Sequence, residues 1–200
     1  MAGGKETPRQ KLIGLMYLVL LALLALQVSS AIIQKFQFLN SSLEIALIDS
    51  KQRNEDKVNT IKKAVEERGN KAKELEILNQ ANTIRAESMK LIGDIDELKK
   101  EIIEKTGGIE ENGQYKGAKD EDVVANLMVG DPSTGKKGRA YALKEQLNAF
   151  VTKVNQMSST QFPALALDGK EDPLTKNDPE QKNKDFAFLN FSQTPMIACL

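Results

Sequence analysis

The sequence predicts an all-α protein in which a single N-terminal transmembrane helix continues into an up-and-down helical bundle. Residues 12–28 carry no ionisable side chain other than Tyr17, and the isoleucines that follow extend this apolar region to the ~20 residues that cross a hydrocarbon core. No Gly or Pro occurs between Leu15 and Arg68, so no residue type obliges the helix to stop at the membrane surface. Later segments repeat apolar residues at alternating spacings of three and four, which is the pattern of packed helices.

The start of the first helix is marked by a capping box. Thr7 and Gln10 have the T-x-x-Q spacing of that motif, and Pro8 suits the first helical position. Arg9 and Lys11 then lie in the first turn, against the positive end of the helix dipole, at a cost of about 0.3–1 kcal/mol for each charge. Another interaction is therefore expected to favour these charges.

The charges before the apolar run predict its orientation. Lys5, Arg9 and Lys11 outweigh the single Glu6, and by the positive-inside rule such a flank stays in the cytoplasm. The bulk of the chain is then expected on the other side of the membrane.

Three regions follow from this topology: a cytoplasmic tail over residues 1–7, a transmembrane helix over 8–30 and a helical bundle over 31–200. A cleaved signal peptide is the alternative, because Ser30 and Ala31 are small residues of the kind found at cleavage sites. The apolar stretch merges into a helical pattern without a break, which favours an uncleaved anchor.

The first helix is expected to continue beyond the membrane and to pair with a second helix. Its seam consists of Ile32, Phe36, Leu39, Leu43 and Ala46, and then of Val58, Ile61 and Val65 on a neighbouring stripe. Gly69 and Asn70 are the first residues that favour a break. A second seam consists of Ile77, Ala81, Ile84, Ser88, Leu91, Ile95, Leu98 and Ile102. It ends at residues 106–108, where a glycine can cap the helix, and the short turn favours an antiparallel hairpin.

The remainder of the chain is predicted as loops and shorter helices. A glycine-rich loop covers residues 107–119 and a short amphipathic helix covers 120–129. A third seam consists of Ala140, Leu143, Leu147, Phe150, Val154 and Met157. Residues 158–183 are polar and contain three prolines, which favours turns. After the apolar stretch "FAFLNF", Pro195 is expected to begin a helix that is still apolar at Leu200, which suggests a fragment of a longer protein.

Composition argues against several classes of function. The 28 basic residues equal the 28 acidic ones, so no overall field favours nucleic acid. The chain has no histidine, the commonest general base and metal ligand. Its one cysteine, Cys199, is expected to pack as a small apolar side chain. We therefore expect no enzyme, and no metal or other cofactor.

Two short motifs resemble ligand loops. "GDPSTGKK", residues 130–137, fits the phosphate-loop pattern G-x-x-x-x-G-K, but Lys137 replaces the Ser or Thr that binds magnesium. The preceding segment is typical of a helix rather than a strand, so a helix-connecting turn is predicted and no nucleotide. "DGKED", residues 168–172, lacks the spacing of a calcium loop and is interpreted as a solvated turn.

Arg9 is the candidate functional residue of the anchor. It either contacts lipid head groups and sets topology, or forms a specific ion pair. The chain has no Asp or Glu between Glu6 and Glu44, so a carboxylate within the membrane must come from another polypeptide. Gln27 follows Arg9 by 18 positions, or five helical turns, and shares its face.

Gln10 and Tyr17 lie seven positions apart and form a second stripe on this helix. Their polar groups are suited to hydrogen bonds across a homodimer. Alternatively, Tyr17 fills a groove between helices.

Four segments resemble the GldM/PorM family of Bacteroidota gliding and type IX secretion machines. These segments are "MAGGKETPRQKLIGLMYLVLLALLAL", "KTGGIEENGQYKGAKDEDVVANLM", "GKKGRAYALKEQLNAF" and "FLNFSQTPMIACL". The similarity spans essentially all 200 residues, and the opening segment is its most specific part.

This resemblance implies a homodimer with one inner-membrane helix per chain, inside a ring of a GldL-type membrane protein, and a helical periplasmic domain. Further periplasmic domains, absent here, would reach an outer-membrane-associated partner. Proton flow would drive rotation, and the periplasmic part would transmit torque for secretion and gliding. By motif, Arg9 matches the family's membrane arginine that faces a GldL-type glutamate.

Other classes of protein share some of these features. A periplasmic sensor or scaffold on a single-pass anchor is the main alternative, although a receptor is expected to have a second membrane segment, and residues 31–200 contain no second apolar run of that length. An anchored enzyme would need a cluster of acid, base or nucleophilic groups. The sequence shows no such cluster.

Overall fold

The fold is dominated by one long helix. A computed structural model describes residues 7–131 and 133–200, without the side chains of residues 24–29. The long helices are α1 (Pro8–Glu67), α2 (Ala72–Lys105) and α4 (Arg139–Met157). The shorter elements are α3 (Asp122–Met128), β1 (Gly130–Asp131), β2 (Lys136–Lys137), α5 (Phe186–Phe191) and α6 (Met196–Cys199). Helix accounts for 66% of the structure, which confirms the all-α prediction.

The predicted membrane helix lies at the start of α1. Within the part of the chain that is described, we find no helix of sufficient length and apolarity to span a membrane. Residues 24–29 belong to the predicted span 8–30, so the prediction lies partly outside the described side chains.

The two long helices end at the glycines that the sequence indicates. Gly69 and Asn70 adopt φ values of 82° and 52°, and the Asn70 amide donates to the Val65 carbonyl at 3.0 Å. At the end of α2, Gly107 and Gly108 have φ values of 103° and 81°. This left-handed conformation is readily adopted by glycine and tolerated by asparagine, and it stops both helices.

The three long helices alternate in direction. Arg85 pairs with Glu55 at 3.2 Å and Lys99 with Glu44 at 3.4 Å, so later residues of α2 meet earlier residues of α1. α4 packs against α2 in the reverse sense. This is the predicted up-and-down arrangement.

The main core lies where the end of α2 and the start of α4 meet the short elements. We call the loop 107–119, α3, the β-hairpin, α5 and α6 together the head. The buried side chains of this core are Ile102, Val124, Met128, Val129, Ala140, Ala187, Phe191 and Met196. A smaller cluster of Ile33, Ala118 and Ile197 packs the head against α1.

Three local segments have structure that the sequence analysis did not specify. The predicted helix-connecting turn at residues 130–137 contains a short antiparallel strand pair, with Gly130 opposite Lys137 and Asp131 opposite Lys136. The stretch "FAFLNF" is helix α5, which is capped because the Asp185 carboxylate accepts from the Phe188 amide at 2.9 Å. Pro195 lies at the N-cap of α6 rather than inside it.

Candidate functional site

Arg9 lies in the first helical turn, as predicted, and its side chain is exposed. The first turn of α1 contains no acidic residue. Among the residues that the structure describes, no carboxylate forms an ion pair with Arg9. An ion pair with another polypeptide remains a prediction.

The predicted capping box is present. The Gln10 amide donates to the Thr7 hydroxyl at 3.3 Å, and the Thr7 amide donates to the Gln10 side-chain oxygen at 2.9 Å. The Gln10 side chain is therefore engaged within its own chain. Its predicted role between two protomers would require an additional bond from the amide nitrogen.

The other predicted residues of this helix are only partly visible. The Tyr17 side chain is 64% exposed and lies among exposed apolar side chains. The Gln27 side chain lies outside the described residues. The packing roles predicted for Tyr17 and Gln27 remain predictions.

Beyond the anchor, the predicted seam of α1 is only partly buried: Phe36 packs against the cluster that holds the head and Val65 is buried, but the centre of the contact lies on a neighbouring face. Ile33 is buried, and so is Asn40, seven positions later. Within the predicted seam, Ile32, Leu39 and Leu43 remain 50%, 51% and 60% exposed. The face that contacts the head therefore lies one residue further along the helix, about 100° around its axis from Ile32, Leu39 and Leu43.

A polar cluster lies at the contact between α1 and the head. The Asn40 amide donates to the Glu44 carboxylate at 3.2 Å, and Lys99 of α2 donates to the same carboxylate oxygen at 3.4 Å. Burial raises the pKa of the nearby Tyr115 hydroxyl, and the Glu44 charge adds to that shift. The sequence analysis missed this contact because it searched for apolar residues at helical spacing. Asn40 is polar, although it lies seven positions after Ile33 on the same face of α1.

Ion pairs join α4 to α2 along their length. Lys153 pairs with Glu87, and Arg139 pairs with Glu101 at 2.9 Å. The hydrogen bond from Lys153 is the main cause that lowers the pKa of Glu87. A bond from Lys105 is the main cause that lowers the pKa of Glu101, with Arg139 contributing. Because these pairs are exposed, they add little to the free energy of unfolding. Their role is to align α4 with α2.

Asp168, in the motif "DGKED", organises the polar C-terminal segment. One of its oxygens accepts from the Lys144 ammonium at 2.6 Å and from the Phe186 amide at 2.7 Å. The bond from Lys144 is the main cause that lowers the pKa of this carboxyl. In the described ranges, no group of three or more His, Cys, Asp or Glu side chains could hold a metal ion.

Cys199 packs against the main core, half-buried, as the sequence predicts. Burial raises the pKa of its thiol to about 12. The thiol is therefore protonated near neutral pH and a poor nucleophile.

These features define the class of protein: an elongated α-helical domain whose first helix begins with exposed cations and carries a docked head. Residues 31–200 match the family profile of the GldM N-terminal domain, and the chain belongs to the GldM family. No curated protein matches the chain. Membership assigns the chain to the machinery of gliding motility and type IX secretion, and the family is a membrane-anchored component of that machinery.

Proposed function

We propose that this chain is a subunit of a rotary motor, driven by the proton-motive force, that transmits energy across the periplasm for type IX secretion and gliding. Residues 8–30 span the inner membrane once, the N-terminus is cytoplasmic, and residues 31–200 are periplasmic. The chain acts through partners rather than as an enzyme.

The observation that carries this proposal is the position of Arg9. An exposed arginine occupies the first turn of α1, which itself contains no acidic residue, and the dipole disfavours it there. A partner carboxylate would offset that cost. An adjacent cation lowers a carboxyl pKa by about 1–3 units. Whether the partner acid keeps its proton would therefore depend on whether it contacts Arg9.

The continuity of α1 supports transmission of force. Its 60 residues extend about 90 Å at 1.5 Å per residue, and they join the Arg9 turn to the head without a break. Movement imposed on the membrane end therefore reaches Asn40 and Glu44 of the polar cluster through one continuous helix.

The proposed partners follow from this arrangement. Two copies of the chain would form a homodimer, and a GldL-type ring would supply the protonatable carboxylate. Domains beyond residue 200 would reach an outer-membrane-associated protein.

The test is substitution of Arg9 in cells that assemble the whole machine. Arg9→Ala should abolish secretion and gliding, while membrane insertion and co-purification with the ring protein persist. Arg9→Lys should restore function only in part, because lysine lacks the two-pronged guanidinium geometry. Lys11→Ala is the matched control, since it removes a neighbouring charge and should leave function near normal.

Normal proton-driven motion in an assembled Arg9→Ala machine would refute the coupling role and leave Arg9 as a topology signal. An equal loss of motion in Lys11→Ala would also refute it, because net charge would then explain the effect.

A further inference from the structure

A basic cavity lies between the main core and the β-hairpin. It encloses about 560 Å³ between the end of α2, helix α3, the hairpin and the first turns of α4. This volume is within the 300–1,000 Å³ typical of ligand sites. One of its walls consists of Gly130, Asp131, Lys136 and Lys137 from the motif "GDPSTGKK".

Four cations and one carboxylate line this cavity. The cations are Lys105, Lys136, Lys137 and Arg139, and the carboxylate is Asp131. Asp131 already accepts from the Ser133 amide at 2.9 Å and from the Ser133 hydroxyl at 2.6 Å. These hydrogen bonds lower the pKa of Asp131, so it stays ionised and offsets one of the four positive charges. The lining as a whole remains positively charged.

Only two of the cations have a carboxylate partner in the described part of the chain. Lys105 and Arg139 share Glu101, at 3.1 Å and 2.9 Å. Lys136 and Lys137 are exposed and form no ion pair with any described residue. These two charges remain available to an anion.

Close backbone packing in the hairpin positions the main chain of Lys136 and Lys137. A Cβ at Gly130 would lie 2.1 Å from the Lys136 carbonyl oxygen, and one at Gly138 would lie 2.3 Å from the Met128 carbonyl oxygen. The Lys137 ammonium also lies 5.1 Å from the centre of the Tyr141 ring, within the range of a cation–π contact. A preorganised site loses little entropy when it binds.

The cavity also has apolar walls. Val123 and Leu127 of α3 line it together with Ala142 of α4. A simple inorganic anion makes no favourable contact with apolar walls. A peptide can pack an apolar side chain against them and place its carboxylates at the lysines.

We propose that this cavity binds an acidic peptide segment of another protein, with carboxylates at Lys136 and Lys137 and an apolar side chain against Val123 and Leu127. This docking site is independent of Arg9 and of the motor. It adds to the machine a contact through the head.

The test measures binding of short fluorescein-labelled peptides to the full chain in detergent, by fluorescence anisotropy. One peptide alternates glutamate with leucine, a second replaces glutamate by glutamine, and a third replaces leucine by serine. The first should bind most tightly and should weaken as salt rises, because screening affects exposed charges. The other two should bind at least about fivefold more weakly, as expected for the loss of surface ion pairs or of apolar contact.

Matched variants locate the site. Lys136→Ala/Lys137→Ala should raise the Kd of the first peptide about tenfold, the scale of two surface ion pairs, and Lys136→Arg/Lys137→Arg should restore binding. Lys170→Ala/Lys182→Ala removes two exposed lysines from the C-terminal turns and should leave the Kd unchanged. Circular dichroism should show equal melting temperatures for all of these variants.

Several results would overturn the proposal. Equal losses in the two alanine variants would indicate non-specific attraction. If the glutamine peptide bound as tightly as the glutamate peptide, charge would have no role in binding. Displacement of the peptide by inorganic phosphate at matched ionic strength would identify a small-anion site. Displacement by detergent micelles that contain phosphatidylglycerol, but not by micelles that contain a neutral lipid, would identify a lipid site.

Discussion

At the scale of single residues, Asp168 joins two parts of the chain that are distant in sequence. Its carboxylate binds Lys144 on α4 and the Phe186 amide at the start of α5. Tyr141, on the same helix as Lys144, donates to the neighbouring Asp185 at 3.0 Å. Burial raises the pKa of Tyr141, and its bond to Asp185 adds to the shift. The C-terminal segment is therefore attached to α4 by charged hydrogen bonds.

We expect Asp168→Asn to lower the melting temperature at neutral pH, because the amide carries no charge for Lys144. The pKa of Asp168 is lowered in the fold, so its contribution is present above the ordinary Asp pKa of about 3.9 and is lost as pH falls through the lower folded value. The gap between wild type and variant should therefore close below about pH 4. Thermal melts from neutral to acid pH measure it.

The control for Asp168 is Glu180→Gln, an exposed carboxyl in the same C-terminal segment. Its melting temperature should follow the wild type at every pH. A gap for Asp168→Asn that is equally large in acid would show that charge is not the cause.

A separate prediction concerns Met128, which lies in the main core and is 0% exposed. Met128→Ala should lower the free energy of unfolding by about 2–5 kcal/mol through lost burial and a new cavity. Leu174→Ala is the control, because Leu174 is 90% exposed and its loss should change stability by no more than about 0.5 kcal/mol. Denaturant titration followed by circular dichroism compares them, and equal midpoints would contradict the assigned core.

At the scale of elements, the β-hairpin depends on its glycines. Gly130 has a φ of 95°, and its Cβ position is blocked by the Lys136 carbonyl. Gly135, at the other end of the motif, has a φ of 69° and nothing within 4 Å of a Cβ. The two glycines therefore differ in steric environment while both adopt left-handed backbone.

We expect Gly135→Ala to lower stability by about 1–2 kcal/mol, the cost of left-handed backbone alone. Gly130→Ala should cost more, since the two strands would also have to separate. Thermal melts of the two variants give the difference. A smaller loss for Gly130→Ala would show that the strand contact is not required.

Sequence patterning predicted the long helices and the short helices α3 and α6, but not the strand pairing of the hairpin or helix α5, for physical reasons. α1 and α2 each have an uninterrupted helical pattern and a glycine stop, so their ends are encoded locally. The hairpin pairs only Gly130–Asp131 with Lys136–Lys137, which is too short for a periodic signal. Helix α5 depends on the Asp185 cap and on burial of Phe191, and burial is set by the rest of the fold.

The candidate site shows the same limit. The capping box at Thr7 and Gln10 was predicted because its spacing is local. The contact of Lys99 with Glu44 depends on how α1 meets α2, which one helix alone does not specify. The predicted seam through Leu39 and Leu43 describes an apolar face correctly, but the head covers the face one residue further on.

At the scale of the whole molecule, α1 therefore presents two faces with different roles. The face of Ile33 and Asn40 holds the head. The face of Ile32, Leu39 and Leu43 remains exposed, with the heptad spacing of a helix–helix contact. A second copy of the chain would cover this exposed seam in the proposed homodimer.

We expect Leu39→Glu/Leu43→Glu to convert a homodimer to a monomer, because carboxylates at the centre of an apolar seam would be desolvated without partners. Both leucines are more than half exposed within the single chain, so the helical content should stay unchanged.

Ser41→Glu is the control. Ser41 is exposed and lies about 160–200° around the helix from the two leucines, so a charge there should leave the dimer intact. Sedimentation of the full chain in detergent, with circular dichroism alongside, measures both properties. A stable dimer in the double variant would show that the protomers associate through another surface, and dissociation by Ser41→Glu would show that the seam has no special part in it.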